Sequence, residues 1–171
     1  PSTPITFDDS DLAYVTGPHH DSLVITIQIY SVTVHRVLID GGSAVNIITS
    51  STLKPMGVDE SRIIKKSTKL VGFSGESKSS EREITLPVYA KSVSSHEKFS
   101  IVNCPSSYNV ILGRPWLHNI RAVPLTYHQC AKIPTSAGIV ETIRGKQTTA
   151  IACYGVTHKP PRTTKPPNDT I

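Results

Sequence analysis

One carboxylate stands where chemistry could use it. Asp40 ends the apolar run Val37-Leu38-Ile39 and is followed by Gly41-Gly42-Ser43-Ala44, after which apolar residues resume at Val45 and Ile47-Ile48. Apolar residues on both sides would bury the segment. A charged carboxylate in such a place is costly unless donors or a second carboxylate partner it. Glycines let the backbone turn tightly and bring amide N–H groups to the acid. That is how an acid is held for acid–base work. An Asp-Gly pair between alternating hydrophobics is also among the strongest hairpin signals, so this stretch alone does not separate a site from a turn.

The elements that must deliver Asp40 are legible upstream. Leu23, Ile25, Ile27 and Ile29 alternate with Thr26 and Gln28, which predicts a strand. A turn near Tyr30-Ser31 leads into a second strand, Val32 to Ile39, and the two form a hairpin whose second arm ends at the acid. Beyond the glycines, Val45 to Ile48 continues extended. Residues 49–57 open with capping-type residues and close with Gly57, predicting one short helix limited by Pro55. Residues 58–67 read as a polar connection.

Two later stretches bear on the site. Leu70-Val71-Gly72-Phe73-Ser74-Gly75 lies between two strand-like runs. Its bracketing glycines suit either an ordinary long hairpin or a mobile flap presenting backbone groups to a ligand. Val110-Ile111-Leu112 before Gly113 reads as a short buried strand. Arg114-Pro115 then opens a helix that turns Trp116, Leu117 and Ile120 to the core. Phe99 to Cys104 is a further strand, and Tyr127 to Ile133 a closing one. Ser43 lies outside any G-x-S-x-G elbow, and the glycines lack the Gly-Lys-Ser/Thr ending of a phosphate loop.

Length and composition set the frame. The chain has 171 residues, 13 prolines and 37% hydrophobic content, which suits one domain with extensions. The net charge of +5 is uneven: residues 1–21 carry four acids and no Lys or Arg. The remaining basic excess is spread out, with Lys65-Lys66 as an adjacent pair and few aromatics between cations. Nucleic-acid binding is therefore the weaker reading, its best support a basic Pro-rich stretch, His158 to Pro167. Three separated cysteines form no CxxC pair and suit free thiols in a reducing, cytoplasmic compartment. The histidines show no metal-ligand spacing, so no metal is expected. No run approaches a membrane span, and the first residues make no secretory signal.

The ordered set of Asp40-Gly41-Gly42-Ser43-Ala44, Val71-Gly72-Phe73-Ser74-Gly75 and Val110-Ile111-Leu112-Gly113-Arg114 resembles the retropepsin-like aspartic proteases. It looks most like the protease region of a plant Ty3/gypsy-type retrotransposon polyprotein. The resemblance implies an all-β fold: a small closed acid-protease-type β-barrel with a flap hairpin and one or two short helices. It covers residues 21–133, with residues 1–20 expected as an acidic extended leader that packs Phe7, Leu12 or Tyr14. Residues 134–171 are expected as a weakly structured tail ending in a Pro-rich basic linker.

Carried over residue by residue, the resemblance makes Asp40 the catalytic aspartate, within an active-site loop of Gly41, Gly42 and Ser43. Gly72, Phe73, Ser74 and Gly75 become the flap that covers bound peptide. Ile111, Leu112 and Gly113 become the support behind the loop, and Arg114 a brace of the dimer. A chain this short supplies one such aspartate, so the chemistry implies a homodimer with a peptide or polyprotein substrate and no cofactor. Two facing Asp40 carboxylates would share a proton and activate a bridging water. One position departs from the pattern. Family members usually place Ser or Thr after the aspartate, where its hydroxyl bonds to the partner's loop; here it is Gly41. That removes two symmetric bonds, each worth about 1 kcal/mol net. The alternative is accordingly a catalytically impaired, protease-like barrel that serves as a dimerisation or binding module.

Overall fold

Alternating apolar residues build the first hairpin, β1 (Val24–Ile29) and β2 (Val32–Ile39), with Tyr30 left-handed in the turn at φ 57°. The computed structural model describes residues 3–72 and 75–157. Phe73, Ser74 and the Pro-rich stretch 158–167 lie outside the described residues.

The β1–β2 register contains a one-residue irregularity. Ile25 pairs with Val37 but Ile27 pairs with Val34, so β2 carries an extra residue, and Arg36 there adopts φ 55°. Such a bulge swaps the faces that follow it. Val34 and Val37, three apart, are consequently both buried, as is Ile39. Leu38 and Asp40 take the opposite side. Asn109 holds the bulge in place: its Nδ2 donates to His35 O at 2.7 Å, its backbone N–H donates to Arg36 O at 3.0 Å, and Arg36 Nη2 donates to its Oδ1 at 3.3 Å.

The remaining strands of the main sheet are β3 (Asn46–Thr49), β4 (Ile64–Gly72), β5 (Gly75–Ala90), β6 (Val93–Val102) and β7 (Val110–Leu112). Their order is β1-β2-β7-β3-β6-β5-β4, and a further β1–β5 pairing closes six of them into a barrel. β7 runs parallel to β2 and antiparallel to β3, lying between the two strands that flank the Asp40 loop. Sixteen-residue β5 pairs with β6 over Arg82 to Ala90 and with β4 over Gly75 to Glu83, so β4 stands outside the closed barrel. Helix α1 (Ser50–Leu53) gives way to a 3₁₀ turn at Lys54–Met56, and Gly57 ends it in the left-handed region at φ 66°. Helix α2 (Arg114–Asn119) buries Trp116 and Leu117 against the barrel.

The core joins Ile25, Ile29, Val37, Ile48, Ile84, Leu86, Phe99, Leu112 and Trp116, all at most 1% exposed. Burial of each large apolar side chain contributes about 1.5–3 kcal/mol.

Both ends of the described chain differ from expectation. Residues after Pro134 form β10 (Val140–Arg144) and helix α3 (Gln147–Thr157), rather than a weakly structured tail. β10 completes a second sheet with β8 (Val123–Leu125) and β9 (Cys130–Pro134), in the order β10-β9-β8. Ile143 of β10 and Ala150 and Cys153 of α3 are buried, and Gly138 makes the β9–β10 turn at φ 76°.

The leader, expected to be extended, contains a 3₁₀ turn at Asp9–Leu12 closed by a reciprocal cap between Asp8 and Asp11. Its anchor is charged. Asp11 is buried and pairs with Lys132 Nζ at 2.9 Å. That ammonium also sits 4.9 Å from the Phe7 ring centroid, and Arg144 lies over Tyr14. Asp11 of the leader thus meets cations of the second sheet.

Candidate active site

Asp40 follows the last residue of β2, and its backbone N–H donates to Leu112 O at 3.0 Å, extending the β2–β7 pairing by one bond. The chain then reverses. Ser43 N–H donates to Asp40 O at 3.1 Å, and Gly42 N–H donates to the Asp40 carboxylate Oδ1 at 2.9 Å. A carboxylate held by a backbone amide is fixed in direction. Asp40 is half-buried and Gly41 and Gly42 are exposed, so the acid stands at a rim rather than in the pit its apolar flanks suggest. The Ser43 hydroxyl is spent on the loop itself, donating to Val45 O at 2.6 Å.

The loop is moulded on the β7–α2 junction. A Cβ on Gly113 would stand 2.5 Å from Val45 O and 2.7 Å from Ser43 O, so only glycine allows this approach. Arg114 N–H donates to Ser43 O at 2.9 Å, and Arg114 Nη1 donates to Gly41 O at 3.1 Å. Leu112 is fully buried and pairs with Ile39, while Ile111 pairs with Leu38 on one side and Ile47 on the other. The fold therefore brings Asp40, Gly41, Gly42, Ser43, Ile111, Leu112, Gly113 and Arg114 together. Gly72 and Gly75 face each other at the far end of the β4–β5 hairpin, and Phe73 and Ser74 between them lie outside the described residues.

Two residues escaped sequence reasoning. Asn109 fixes the bulge that sets which side Asp40 takes. Asn46, 1% exposed, accepts from Gly113 N–H through Oδ1 at 2.9 Å and donates through Nδ2 to Lys98 O at 3.2 Å. A polar residue within Val45-Asn46-Ile47-Ile48 was the available signal, since a strand residue flanked by apolar ones is often buried. Among the described residues, no group of three or more His, Cys, Asp or Glu side chains could hold a metal ion. No described helix is long and apolar enough to cross a membrane.

Among solved structures, the chain is similar to the retroviral protease-like domain of Ddi1 from Leishmania major. The TM-score is 0.52 at 16% identity, over 75% of this chain and 96% of that one. Weaker likenesses are to the EIAV protease complexed with the inhibitor HBY-793 (TM-score 0.46, 19% identity, 65% of this chain and 99% of that one) and to a retropepsin-like aspartic protease from Rickettsia conorii (0.43, 14%, 60% and 72%). No family model and no curated protein sequence matches the chain. The fold is retropepsin-like: a closed six-stranded barrel with few short helices.

Proposed function

We propose that the chain is an aspartic endopeptidase that works as a homodimer. The observation that carries this reading is the Asp40 carboxylate, tethered to Gly42 N–H at 2.9 Å on a loop packed against Leu112, Gly113 and Arg114. A two-fold axis beside Asp40 would face two such acids, which cannot both ionise comfortably and so share one proton. The ionised member takes a proton from a bridging water, which attacks the peptide carbonyl. The protonated member hydrogen-bonds the developing oxyanion, and a proton passes to the leaving amine. The motif resemblance supports polyprotein processing in a plant Ty3/gypsy-type retrotransposon, and three separated cysteines with no CxxC pair suit a reducing cytoplasmic compartment. The flap glycines Gly72 and Gly75 would close over bound peptide.

The test compares wild type with Asp40→Asn on a peptide library and on the chain's own precursor at mildly acidic pH. Cleavage should vanish in the variant. Equal cutting by both proteins would reject the proposal.

Gly41 supports a second reading, a dimerisation or binding module without turnover. A Cβ there would meet nothing closer than Leu117 Cδ1 at 3.9 Å, so packing does not forbid the missing hydroxyl residue. A stable dimer in sedimentation, with no cleavage sensitive to a statine-type inhibitor, would favour this second reading.

A further inference from the structure

We propose that Asn46 is a positioning residue for the Asp40 loop, keying the β7–α2 junction to β6. The kinetic part of this inference rests on the proteolytic reading of Asp40; the structural part does not.

The Gly113 N–H is an orphan of the two elements that flank it. β7 ends at Leu112 and α2 begins at Arg114, so the N–H of buried Gly113 falls between the ladder and the helix. A buried N–H without a partner is costly. Asn46, the first residue of β3 and the next after the Asp40 loop, supplies the acceptor. Its other amide atom reaches Lys98 O on β6, the strand on β3's opposite side. One side chain thus joins two separate backbones through the strand between them. An acceptor and a donor at this reach are both required, which an apolar residue of the same size cannot provide.

The consequence passes to the acid through short steps. Gly113 is flanked by the two residues that grip the loop: Leu112 O receives Asp40 N–H, and Arg114 N–H reaches Ser43 O. With Gly113 also pressed against the carbonyls of Ser43 and Val45, a shift of its backbone moves Asp40. Asn46 itself is buried and does not line the exposed rim of the loop. It therefore acts through Gly113 and not on a substrate.

The experiment uses the full chain with two substitutions. Asn46→Leu keeps size and removes both bonds; Asn46→Thr keeps a single hydroxyl that can accept and donate at shorter reach. Residue-resolved hydrogen exchange should show the amides of Asp40, Gly113 and Arg114 exchanging about tenfold faster or more in Asn46→Leu and to an intermediate extent in Asn46→Thr, with Val37, Ile84 and Leu86 unchanged. If Asn46→Leu does not fold, Asn46→Thr carries the comparison. In parallel, turnover per inhibitor-titrated site should fall about 10- to 100-fold in Asn46→Leu with KM unchanged, the size expected of a small misplacement.

Faster exchange spread evenly over the core, or none at Asp40 and Gly113, would overturn the assignment. So would unchanged turnover per titrated site. A wild type that cleaves nothing, yet whose variants show the local exchange pattern, rejects the proteolytic reading and leaves the keying intact.

Discussion

The Arg114 guanidinium donates to the carbonyl oxygen of Gly41 at 3.1 Å, within a single chain. The residue that the motif resemblance assigns to bracing a dimer is thus tied to the Asp40 loop of its own chain. It holds that loop at the position where the usual hydroxyl residue is missing.

Arg114→Ala should therefore harm turnover more than stability. The bond is exposed, so its loss costs about 1 kcal/mol and lowers Tm by about 2–4 °C. A loosened loop should reduce kcat about tenfold. Arg114→Lys keeps the charge but not the fork, and should behave like the alanine variant. Thermal melting with steady-state kinetics checks this; a fully active Arg114→Lys would count against it.

Gly113→Ala should be far more damaging. The new Cβ meets two backbone carbonyls at 2.5 and 2.7 Å, and neither can move without pulling the loop away from β7. A loss of about 3 kcal/mol is expected, read as a lower urea midpoint at unchanged slope. A midpoint within error of wild type would show the junction to be softer than its contacts suggest.

Gly41→Thr should be accommodated, since the nearest obstacle to a Cβ is Leu117 Cδ1 at 3.9 Å. If two chains meet at this loop, the new hydroxyls add two symmetric bonds of about 1 kcal/mol each. Dimer dissociation should then tighten about 30-fold. Sedimentation over a concentration series measures it, and an unchanged monomer–dimer balance would place the dimer contact elsewhere.

The leader should confer acid sensitivity. Hydrogen bonding from Asp8 N–H, then the Lys132 ammonium, holds the Asp11 carboxyl below its ordinary value. Its folded pKa is depressed, so the unfolded chain binds the proton more readily. The resulting stability is present above the unfolded value of about 3.9 and is lost as pH falls through the folded one. Asp8, Asp59 and Glu141 are shifted the same way by bonds from Ser10, Ser61 and Ser92, adding to the trend. The Tm gap between wild type and Asp11→Asn should be constant near neutrality and narrow below about pH 4. A gap that widens on acidification would contradict the assignment.

How much of this was legible depended on where each residue's partners lie. β1, β2 and β7 declare themselves because their apolar residues face one core, and the glycine pair marks the loop between β2 and β3. The bulge at Arg36 was hidden because period-two alternation looks intact when read over a few residues. The three-residue spacing of Val34 and Val37 was its trace. β10 and α3 were missed for a different reason. Ile143 is the one buried residue in its strand, with Val140, Glu141 and Thr142 half-buried and Arg144 exposed, so no clean pattern survives in the sequence. Asn46 sits within the extended run Val45 to Ile48, and its bonds to Gly113 and Lys98 depend on strands far away in the sequence.

The insertion of β7 between β2 and β3 also sets an order of assembly. The backbone partner of Asp40 is Leu112, and the side-chain brace of Gly41 is Arg114, each some seventy residues later in the chain. During synthesis the acid and its local Gly42 and Ser43 partners emerge long before Leu112 and Arg114, and distant contacts of this kind form late. A nascent or truncated chain ending before β7 can form the β1–β2 hairpin but leaves the aspartate on an unsupported turn. The Asp40 loop gains these two partners only when nearly the whole barrel has been made, so the topology itself delays the final placement of the carboxylate until the fold is complete.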